Sequence, residues 1–333
     1  MKNSAKVSIL IPTYNRAKII HETMISAVNQ TYKNTEVIVI DNKSTDNSFE
    51  IISDFAKSHL NIKAYQNEEN IGPVRNWRKC LDYATGEYVK ILWSDDLIAP
   101  DFIEKTMPYL IDHEDVGFVF TGTEIFNDDT GQMNNAYFIG ETGLYDTCIF
   151  IVSALLGRPL QVPVSPGNAL FRKKDLENNL MLDVPNKIGS DFKMHAIGND
   201  ALIYLLTAKD YPKFAFVNEA LASFRAHNDS ISISTNSLKL TILYNIAKAY
   251  FVEHYVDDIR LRRKFNARLF GICMINMFMG KYSGLASVKD FYFKSNNTSI
   301  DVVYFLSLLI RQVVVKGAAS LPSVFCHTFR RQE

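Results

Sequence analysis

The chain has 333 residues, which is enough for one large domain or for two domains of the usual roughly 100 to 200 residues. Hydrophobic residues make up 47% of it and charged residues 22%, a composition typical of a globular protein with ample material for a core. Lysine plus arginine number 36, as do aspartate plus glutamate, and without a long basic run the charge pattern argues against a nucleic-acid-binding protein.

The cysteines and the amino-terminal residues predict a cytoplasmic protein. The four cysteines lack the paired spacing of a metal site, as expected of free thiols in a reducing compartment; they are Cys80, Cys148, Cys273 and Cys326. The first apolar run, residues 7–11, ends at Pro12 and is too short for the core of a signal peptide. No uninterrupted apolar stretch reaches the about 18 residues needed to span a bilayer.

Strand and helix patterns alternate from the start of the chain. Residues 7–11 predict a strand, residues 17–29 a helix and residues 36–40 a second strand, and Ser44 or Asp46 is placed to cap the helix that follows. This order predicts parallel βαβ units. The loop after the first strand has no glycine and the chain has no Gly-Lys-Ser or Gly-Lys-Thr, which disfavours a nicotinamide-dependent oxidoreductase and a P-loop hydrolase.

The stretch from Gly86 to Asp96 is the most informative part of the sequence. A short buried strand over residues 88–92 leads into Asp95 and Asp96 where the chain leaves the sheet. Adjacent carboxylates offer the hard oxygen ligands that Mg²⁺ and Mn²⁺ prefer, although the same residues could form a turn that caps the next helix.

The rest of the chain predicts further elements and a boundary. Residues 102–111 predict a helix, residues 116–121 a strand, and residues 122–145 an irregular lid or binding loop. Asp191 and Asp200 each precede a helix-like segment, and residues 215–217 and 221–227 predict two short strands. A polar stretch at 228–237 ends a domain of residues 1–235, and residues 236–333 form a second region with helices at 238–281 and 300–315.

Five motifs, in order and spacing, resemble the inverting glycosyltransferases of family 2. They are Val7-Ser8-Ile9-Leu10-Ile11-Pro12-Thr13-Tyr14-Asn15-Arg16, Val37-Ile38-Val39-Ile40-Asp41-Asn42 with Ser44-Thr45-Asp46, Asn70-Ile71-Gly72 with Arg75-Asn76, Gly86-Glu87-Tyr88 through Ser94-Asp95-Asp96, and Phe224-Arg225-Ala226-His227. The resemblance covers about residues 5 to 235. It implies an α/β chain with the GT-A fold, a Rossmann-like mixed sheet flanked by helices that binds a nucleotide-diphospho-sugar, followed by a helical C-terminal region.

The resemblance also implies a divalent metal, Mn²⁺ or Mg²⁺. Asp96 corresponds to the direct ligand, His227 to a residue that contacts the metal or the diphosphate, and Asp95 to a residue that faces the sugar or ribose. Many relatives carry an aspartate two places before the Asp pair, whereas this chain has Trp93 there. A lone histidine is more often structural than a ligand, and the Arg-x-His spacing before a serine-rich loop makes the two roles of His227 about equally probable.

The donor site implied by the family lies at the ends of the first strands. Asp41 corresponds to the aspartate that accepts the imide N–H of uracil or thymine, Arg75 to a contact of the diphosphate, and Tyr14 to a side chain that packs on the base. The full set of donor-binding residues predicted is Pro12, Thr13, Tyr14, Asn15, Arg16, Asp41, Arg75, Ser94 and Asp95.

An inverting transfer needs a carboxylate to take the proton of the acceptor hydroxyl. The family draws this base from an acidic residue at the start of a helix downstream of the metal motif. Asp200 is the predicted base and Asp191 the second choice. Both residues would equally serve as helix N-caps.

These features predict a metal-dependent inverting hexosyltransferase that moves a sugar from a UDP-linked donor to a saccharide or lipid-linked acceptor in bacterial surface polysaccharide synthesis. The alternative is a non-catalytic scaffold subunit that binds the nucleotide sugar. The apolar C-terminal helices predict a peripheral contact with the cytoplasmic face of the inner membrane, a homodimer contact, or ordinary core packing.

Overall fold

The structure is a computed structural model and describes residues 5–227, 230, 235–279, 285–295 and 297–317. The chain divides into two compact units, one within Met1–Asp183 and Asp191–Ile233 and the other within Val184–Ser190 and Ser234–Glu333. The predicted domain boundary after residue 235 remains a prediction, because residues 228–229 and 231–234 beside it lie outside the described part of the chain. Of the four cysteines, Cys326 also lies outside the described residues.

The first half of unit 1 alternates strands and helices, as the sequence predicts. Its elements are β1 (Val7–Thr13), α1 (Ile20–Val28), β2 (Thr35–Asp41), α2 (Ser48–Lys57), β3 (Ile62–Gln66), α3 (Pro73–Tyr83), β4 (Tyr88–Ile91), β5 (Leu97–Ile98) and α4 (Phe102–Asp112). The second half contains β6 (Val116–Phe126), β7 (Met133–Ala136), β8 (Gly143–Asp146), α5 (Thr147–Leu156), β9 (Ala169–Arg172), α6 (Lys173–Asn179), α7 (Phe192–His195), α8 (Asn199–Ala208) and β10 (Lys213–Arg225).

The strands form one mixed sheet in the order β3-β2-β1-β4-β9-β6-β10-β5, with β7 beside β6 and β8 beside β10. Strands β1 to β4 are parallel, and β9 runs antiparallel to both of its neighbours, β4 and β6. Because β9 is antiparallel to both neighbours, β6 runs parallel to β4, and β10 is parallel to β6. The carboxyl end of β10 therefore lies at the same edge of the sheet as those of β1, β2 and β4. Ligands of open α/β sheets bind at this edge.

Alternation along the strands sends apolar side chains to both faces of the sheet. Ile9 and Ile11 join one buried cluster with residues of α1, α2 and α4. Leu10 and Ile91 line a small apolar cavity on the opposite face, together with residues of α3, α6 and α8. Helices therefore cover both faces of the central strands, which leaves the strand ends as the place for polar chemistry.

Glu36 fixes how the central strands align. Its carboxylate is almost fully buried, and it accepts hydrogen bonds from Lys6 (2.9 Å), Ser8 (2.7 Å) and the backbone N–H of Thr85 (2.7 Å). The Ser8 hydroxyl in turn accepts from the N–H of Gly86 (2.9 Å), where a Cβ would lie 2.7 Å from β1 backbone atoms. Only glycine permits this close approach, so β4 starts at a fixed position beside β1.

Two predictions about the second half of unit 1 were wrong. The stretch 122–145 is not irregular throughout, because β6 continues to Phe126, β7 pairs with β6, and β8 pairs with β10. The two strands predicted at 215–217 and 221–227 are one strand, β10, with register shifts between Val217 and Ala222. Exposed Asn218 and Glu219 break the alternation there, and only pairing with β6 shows that the strand continues.

Unit 2 contains three long helices: α9 (Ser237–Tyr255), α10 (Ile259–Met279) and α11 (Val302–Gly317). The sequence predicts one helix over residues 238–281, but the chain breaks at Val256, and Asp258 accepts the N–H of Arg260 (2.8 Å) to begin a new helix. Among the described residues, no helix combines the length and apolar character needed to cross a bilayer.

We expect Glu36→Gln to destabilise the protein by about 2 kcal/mol at neutral pH, because charge-assisted hydrogen bonds from Lys6, Ser8 and Thr85 are weakened. Burial raises the pKa of Glu36, but these hydrogen bonds outweigh it and lower the pKa from 4.5 to about 2. The stabilisation is therefore present above pH 4.5 and is lost as the pH falls toward 2. Urea unfolding of wild type and variant at pH 7 and pH 3 measures this, and the stability gap should narrow at the lower pH.

The matched control is Glu50→Gln, which changes an exposed glutamate on α2. Equal effects of the two substitutions, or a gap for Glu36→Gln that does not change with pH, would contradict the role given to Glu36.

Candidate functional site

Asp95 and Asp96 leave the sheet directly after β4, as the sequence predicts. A tight turn, in which the N–H of Asp96 donates to the carbonyl of Trp93 (3.0 Å), separates them from the strand. Strand β5 then pairs antiparallel with β10, with Leu97 opposite Ser223. This register sets the aspartate pair beside the carboxyl end of β10, so residues far apart in sequence meet at one edge of the sheet.

Arg225, the last residue of β10, holds the pair in place. Its backbone N–H donates to Asp96 Oδ1 (2.9 Å) and its Nε donates to the backbone carbonyl of Asp95 (3.0 Å). The rest of the guanidinium donates to Glu22 (2.6 Å) and to Asp128, and the Arg225 side chain is 5% exposed. No role for Arg225, Glu22 or Asp128 was predicted from the sequence. An arginine at the end of an apolar strand could have indicated Arg225, but no local sequence pattern indicates its partners Glu22 and Asp128.

The two aspartates differ in electrostatic environment. For Asp95, burial raises the pKa, but the hydrogen bond from His227 Nε2 (2.9 Å from Asp95 Oδ2) and the charge of Arg16 (3.5 Å) outweigh it, so the pKa lies below its ordinary value. For Asp96, burial and the negative charge of Asp95 raise the pKa well above its ordinary value. Such opposed shifts in neighbouring carboxyls are common at functional sites.

The donor atoms of this cluster have the chemistry of a divalent metal site. Two carboxylates and an imidazole are ligands that Mn²⁺ accepts. His227 faces Asp95, however, while Asp96 accepts from the backbone of Arg225. Across the described ranges of the chain, no three His, Cys, Asp or Glu side chains are arranged as a ready metal site. The donor types therefore fit the ion, and Asp96 and His227 are the residues that would hold it.

The loop after β1 is tied to the loop after β2. Thr13 pairs with Asp41 in the sheet, the N–H of Asn15 donates to Ser44 Oγ (2.8 Å), and Asn15 Oδ1 accepts from the N–H of Thr45 (2.8 Å). Asn15 has a positive φ of 51°, which turns the chain sharply. The structure thus brings together the predicted donor residues from Thr13 to Arg16, with Tyr14 39% exposed, while Pro12 lies within β1.

Asp41 lies at this edge but is fully buried. Its Oδ2 accepts from the N–H of Ser44 (3.0 Å) and from Gln66 Nε2 (3.0 Å), and its Oδ1 accepts from the Ser44 hydroxyl. A carboxylate oxygen has two lone pairs, so Oδ1 keeps one acceptor position for a further donor.

Arg75 and Ser94 complete the predicted donor set. Arg75 is exposed in the first turn of α3, where its guanidinium donates to the carbonyl of Ile71 (3.1 Å). Ser94 is buried, and its carbonyl accepts from the Thr23 hydroxyl (3.2 Å). The amino terminus of a helix favours negative charge, so Arg75 lies where an anion would be stabilised.

The two candidate bases lie in different environments. Asp191 is exposed and caps α7 by accepting the N–H of Lys193 (3.0 Å), which is the structural role considered for it. Asp200 is 8% exposed in the first turn of α8, where Gly198 occupies the cap position. Burial and the charge of Asp200 together raise the pKa of Tyr137 to about 12, which marks Tyr137 as a neighbour that the sequence analysis missed.

Comparison with known proteins identifies similar chains. The sequence profile described as Glycosyl transferase family 2 matches residues 8–180, just over half of the chain. Similar proteins include the putative glycosyltransferase EpsE of Bacillus subtilis, with 33% identity over 38% of this chain and 46% of that protein. The putative teichuronic acid biosynthesis glycosyltransferase TuaG of Bacillus subtilis has 27% identity over 68% of this chain and 81% of that protein.

Among solved structures, residues 1–349 of S. aureus TarS in complex with UDP-GlcNAc superpose with a TM-score of 0.62. The sequence identity is 20%, and the match covers 83% of this chain and 76% of that chain, so it is a likeness of fold. The chain spans less than half the length of the first curated relatives it matches.

We expect Arg225→Met to lower the free energy of unfolding by about 2 kcal/mol, since it leaves Glu22, Asp128 and the Asp95 carbonyl without their shared donor. The cost is below that of a fully buried ion pair because the carboxylates of Glu22 and Asp128 are more than half exposed. Arg225→Lys should recover only part of it, because an ammonium group lacks the planar fork of donors. Urea unfolding gives these values.

Arg75→Met is the control, because it removes an exposed arginine at the same sheet edge and should change stability by less than about 0.5 kcal/mol. An Arg225→Met protein as stable as this control would refute the clamping role.

Proposed function

Because the chain belongs to glycosyl transferase family 2 and has the GT-A fold predicted for it, we propose that it is a metal-dependent inverting glycosyltransferase. Its donor is a nucleotide-diphospho-sugar with uracil as the base, and its acceptor is a saccharide or lipid-linked chain in bacterial surface polysaccharide synthesis. The observation that carries the proposal is the Asp95–Asp96 pair, clamped by Arg225 at the sheet edge where the loops after β1 and β2 also end. The assignment of TuaG to teichuronic acid biosynthesis supports the acceptor class, and the UDP-GlcNAc bound to TarS supports the donor class.

The chain's own residues would bind and orient the donor. Asp41 accepts the imide N–H through its remaining lone pair, Tyr14 packs on the base, and Arg75 meets the diphosphate with a guanidinium fork. Asp96 and His227 would hold a divalent ion, and a bound Mn²⁺ or Mg²⁺ supplies Lewis-acid stabilisation of the leaving diphosphate. Arg16 and Arg225 balance the negative charge of the aspartates around it.

Asp200 is the base in this proposal. As the acceptor oxygen forms its bond to the anomeric carbon, the bond from that carbon to the nucleotide diphosphate breaks and the acceptor proton passes to Asp200. Burial keeps water away from this carboxylate, and its position inside the first turn of α8 leaves the cap to Gly198. Both carboxylates accept backbone N–H groups at the start of their helices, Asp191 from Lys193 (3.0 Å) and Asp200 from Gly198 (3.0 Å) and Ala201 (2.8 Å). Asp191 is disfavoured because it is exposed.

A second candidate function is a scaffold subunit that binds a nucleotide sugar without turnover. Trp93 favours it, because this chain has one carboxylate fewer near the metal than many relatives. For either function we propose a peripheral membrane contact through α11, whose apolar residues Val303, Leu306 and Ile310 are more than half exposed.

The donor class is tested by thermal unfolding with UDP, dTDP or GDP, each with and without Mn²⁺. We expect the largest rise in Tm with UDP plus Mn²⁺, because a ligand at 100 times its Kd stabilises the native state by about 2.7 kcal/mol. Asp96→Ala should lose the metal-dependent part, whereas Asp129→Ala, which removes an exposed aspartate on a neighbouring loop, should keep it. No shift with any nucleotide at millimolar concentration would contradict the proposal.

The base assignment is tested by turnover. We expect Asp200→Asn to lower the rate of sugar transfer or donor hydrolysis by about 10³-fold, while the UDP-dependent rise in Tm stays the same. Asp191→Asn is the matched control and should retain the rate within about threefold. The reverse ranking would identify Asp191 as the base, and no turnover by wild type despite UDP binding would favour the scaffold function.

A further inference from the structure

Three half-buried aromatic side chains connect the aspartate pair with Asp200. Trp93 lies two residues before Asp95, Phe224 precedes Arg225, and Tyr137 is the aromatic neighbour of Asp200. We call Trp93, Phe224 and Tyr137 the aromatic floor.

Contacts make the aromatic floor continuous. A Cβ built on Gly167 would lie 2.9 Å from ring atoms of Trp93 and 3.0 Å from Phe224, so both rings pack against this one glycine. The rings of Phe224 and Tyr137 are 6.5 Å apart between centroids and meet at 63°. The floor therefore begins beside the Asp pair, and Tyr137 at its other end interacts with the charge of the predicted base, Asp200.

The Trp93 ring is held in one orientation. Its Nε1 donates to Ser165 Oγ (2.7 Å), and its ring packs on Trp77 with centroids 4.7 Å apart. The buried Lys90 donates to the carbonyl of Gly167, which ties the same loop to β4. An oriented aromatic ring loses little freedom when a ligand packs on it, so this arrangement is suited to binding.

Tyr137 adds a second sign of a functional surface. Its backbone has a positive φ of 63°, a conformation disfavoured for a bulky side chain. Strain of this kind persists where surrounding structure enforces it, and it collects at ligand sites. At this position the Tyr137 ring meets the Phe224 ring edge to face.

The chemistry of the floor selects one class of ligand. An aromatic face packs well on the apolar C–H face of a pyranose, but its negative face offers no partner for a carboxylate. Carboxylates bound the floor at both ends, and the guanidinium of Arg16 beside Asp95 is already paired with it (3.5 Å). A sugar that carries its own carboxylate would be repelled there.

We propose that the aromatic floor binds the apolar face of the donor's neutral pyranose, and that Trp93 is its specificity-determining residue. This inference rests on the proposed function and deepens it, because it assigns a class of sugar to the proposed donor site. Trp93 acts on the sugar and leaves the nucleotide to the loops after β1 and β2.

The test compares calorimetric affinities for UDP, UDP-glucose, UDP-galactose, UDP-N-acetylglucosamine and UDP-glucuronate in the presence of Mn²⁺. We expect at least one neutral-sugar donor to bind more tightly than UDP, and UDP-glucuronate to bind no better than UDP. Trp93→Ala should weaken that neutral donor about fivefold while the Kd for UDP is unchanged, and Trp93→Phe should retain most of the affinity. Thermal unfolding confirms that each variant is folded.

A fluorescence readout is independent of variants at Trp93. The chain has two tryptophans, so Trp77→Phe leaves Trp93 as the sole indole emitter. The preferred neutral donor should change this emission beyond the change caused by UDP.

The outcomes separate the two proposals. If Trp93→Ala weakens UDP and the neutral donor equally, or weakens neither, the role of Trp93 on the sugar is wrong although the proposed function stands. If Trp93→Ala reduces the affinity for UDP-glucuronate more than the affinity for any neutral-sugar donor, the neutral-sugar assignment is wrong. A wild-type protein that binds none of these nucleotides would contradict the proposed function itself.

Discussion

The arrangement of the site depends on one interaction, the clamp that Arg225 places on the aspartate pair. Burial raises the pKa of Asp96 well above its ordinary value, and the negative charge of the adjacent Asp95 raises it further. Arg225 offsets this by donating to Asp96 through its backbone and to the Asp95 carbonyl through its side chain. The same guanidinium donates to Glu22 on α1 and to Asp128 in the loop after β6. These hydrogen bonds connect α1, that loop and β10 to the turn that follows β4. A site with concentrated negative charge can persist in the fold because this cation is built into it.

The topology explains why this clamp can exist. Strand β9 is antiparallel to both β4 and β6, so β6 runs in the same direction as β4. Strand β10 is parallel to β6, and its carboxyl end therefore lies at the edge at which β1, β2 and β4 end. Antiparallel pairing of β5 with β10 then sets the distance between Asp96 and Arg225. The Glu36 network and the close approach of Gly86 fix the register of the first strands. Backbone register, more than loop shape, therefore decides which polar groups meet.

Much of this could be predicted from the sequence, and the remainder shows what local patterns lack. The first βαβ units, the turn at Asp95 and the helix that begins beside Asp200 follow from apolar periodicity and turn residues, which act over a few positions. The continuity of β10, the strand pairing within 122–145 and the partners of Arg225 depend on contacts between distant residues, and no local pattern contains them. Trp93 was recognised as a departure from the family pattern, but its packing against Gly167 and Phe224 became visible only in the fold.

The most direct test of the account is a ¹H NMR time course of the anomeric protons as the protein cleaves an α-linked UDP-sugar in the presence of Mn²⁺, without acceptor. A single displacement assisted by Asp200 predicts that the β-anomer of the free sugar appears first, before mutarotation, and that Asp200→Asn releases none on the same time scale. The α-anomer appearing first would contradict the inverting mechanism. UDP binding without any sugar release, with or without a saccharide acceptor, would contradict the assignment of catalysis to this site.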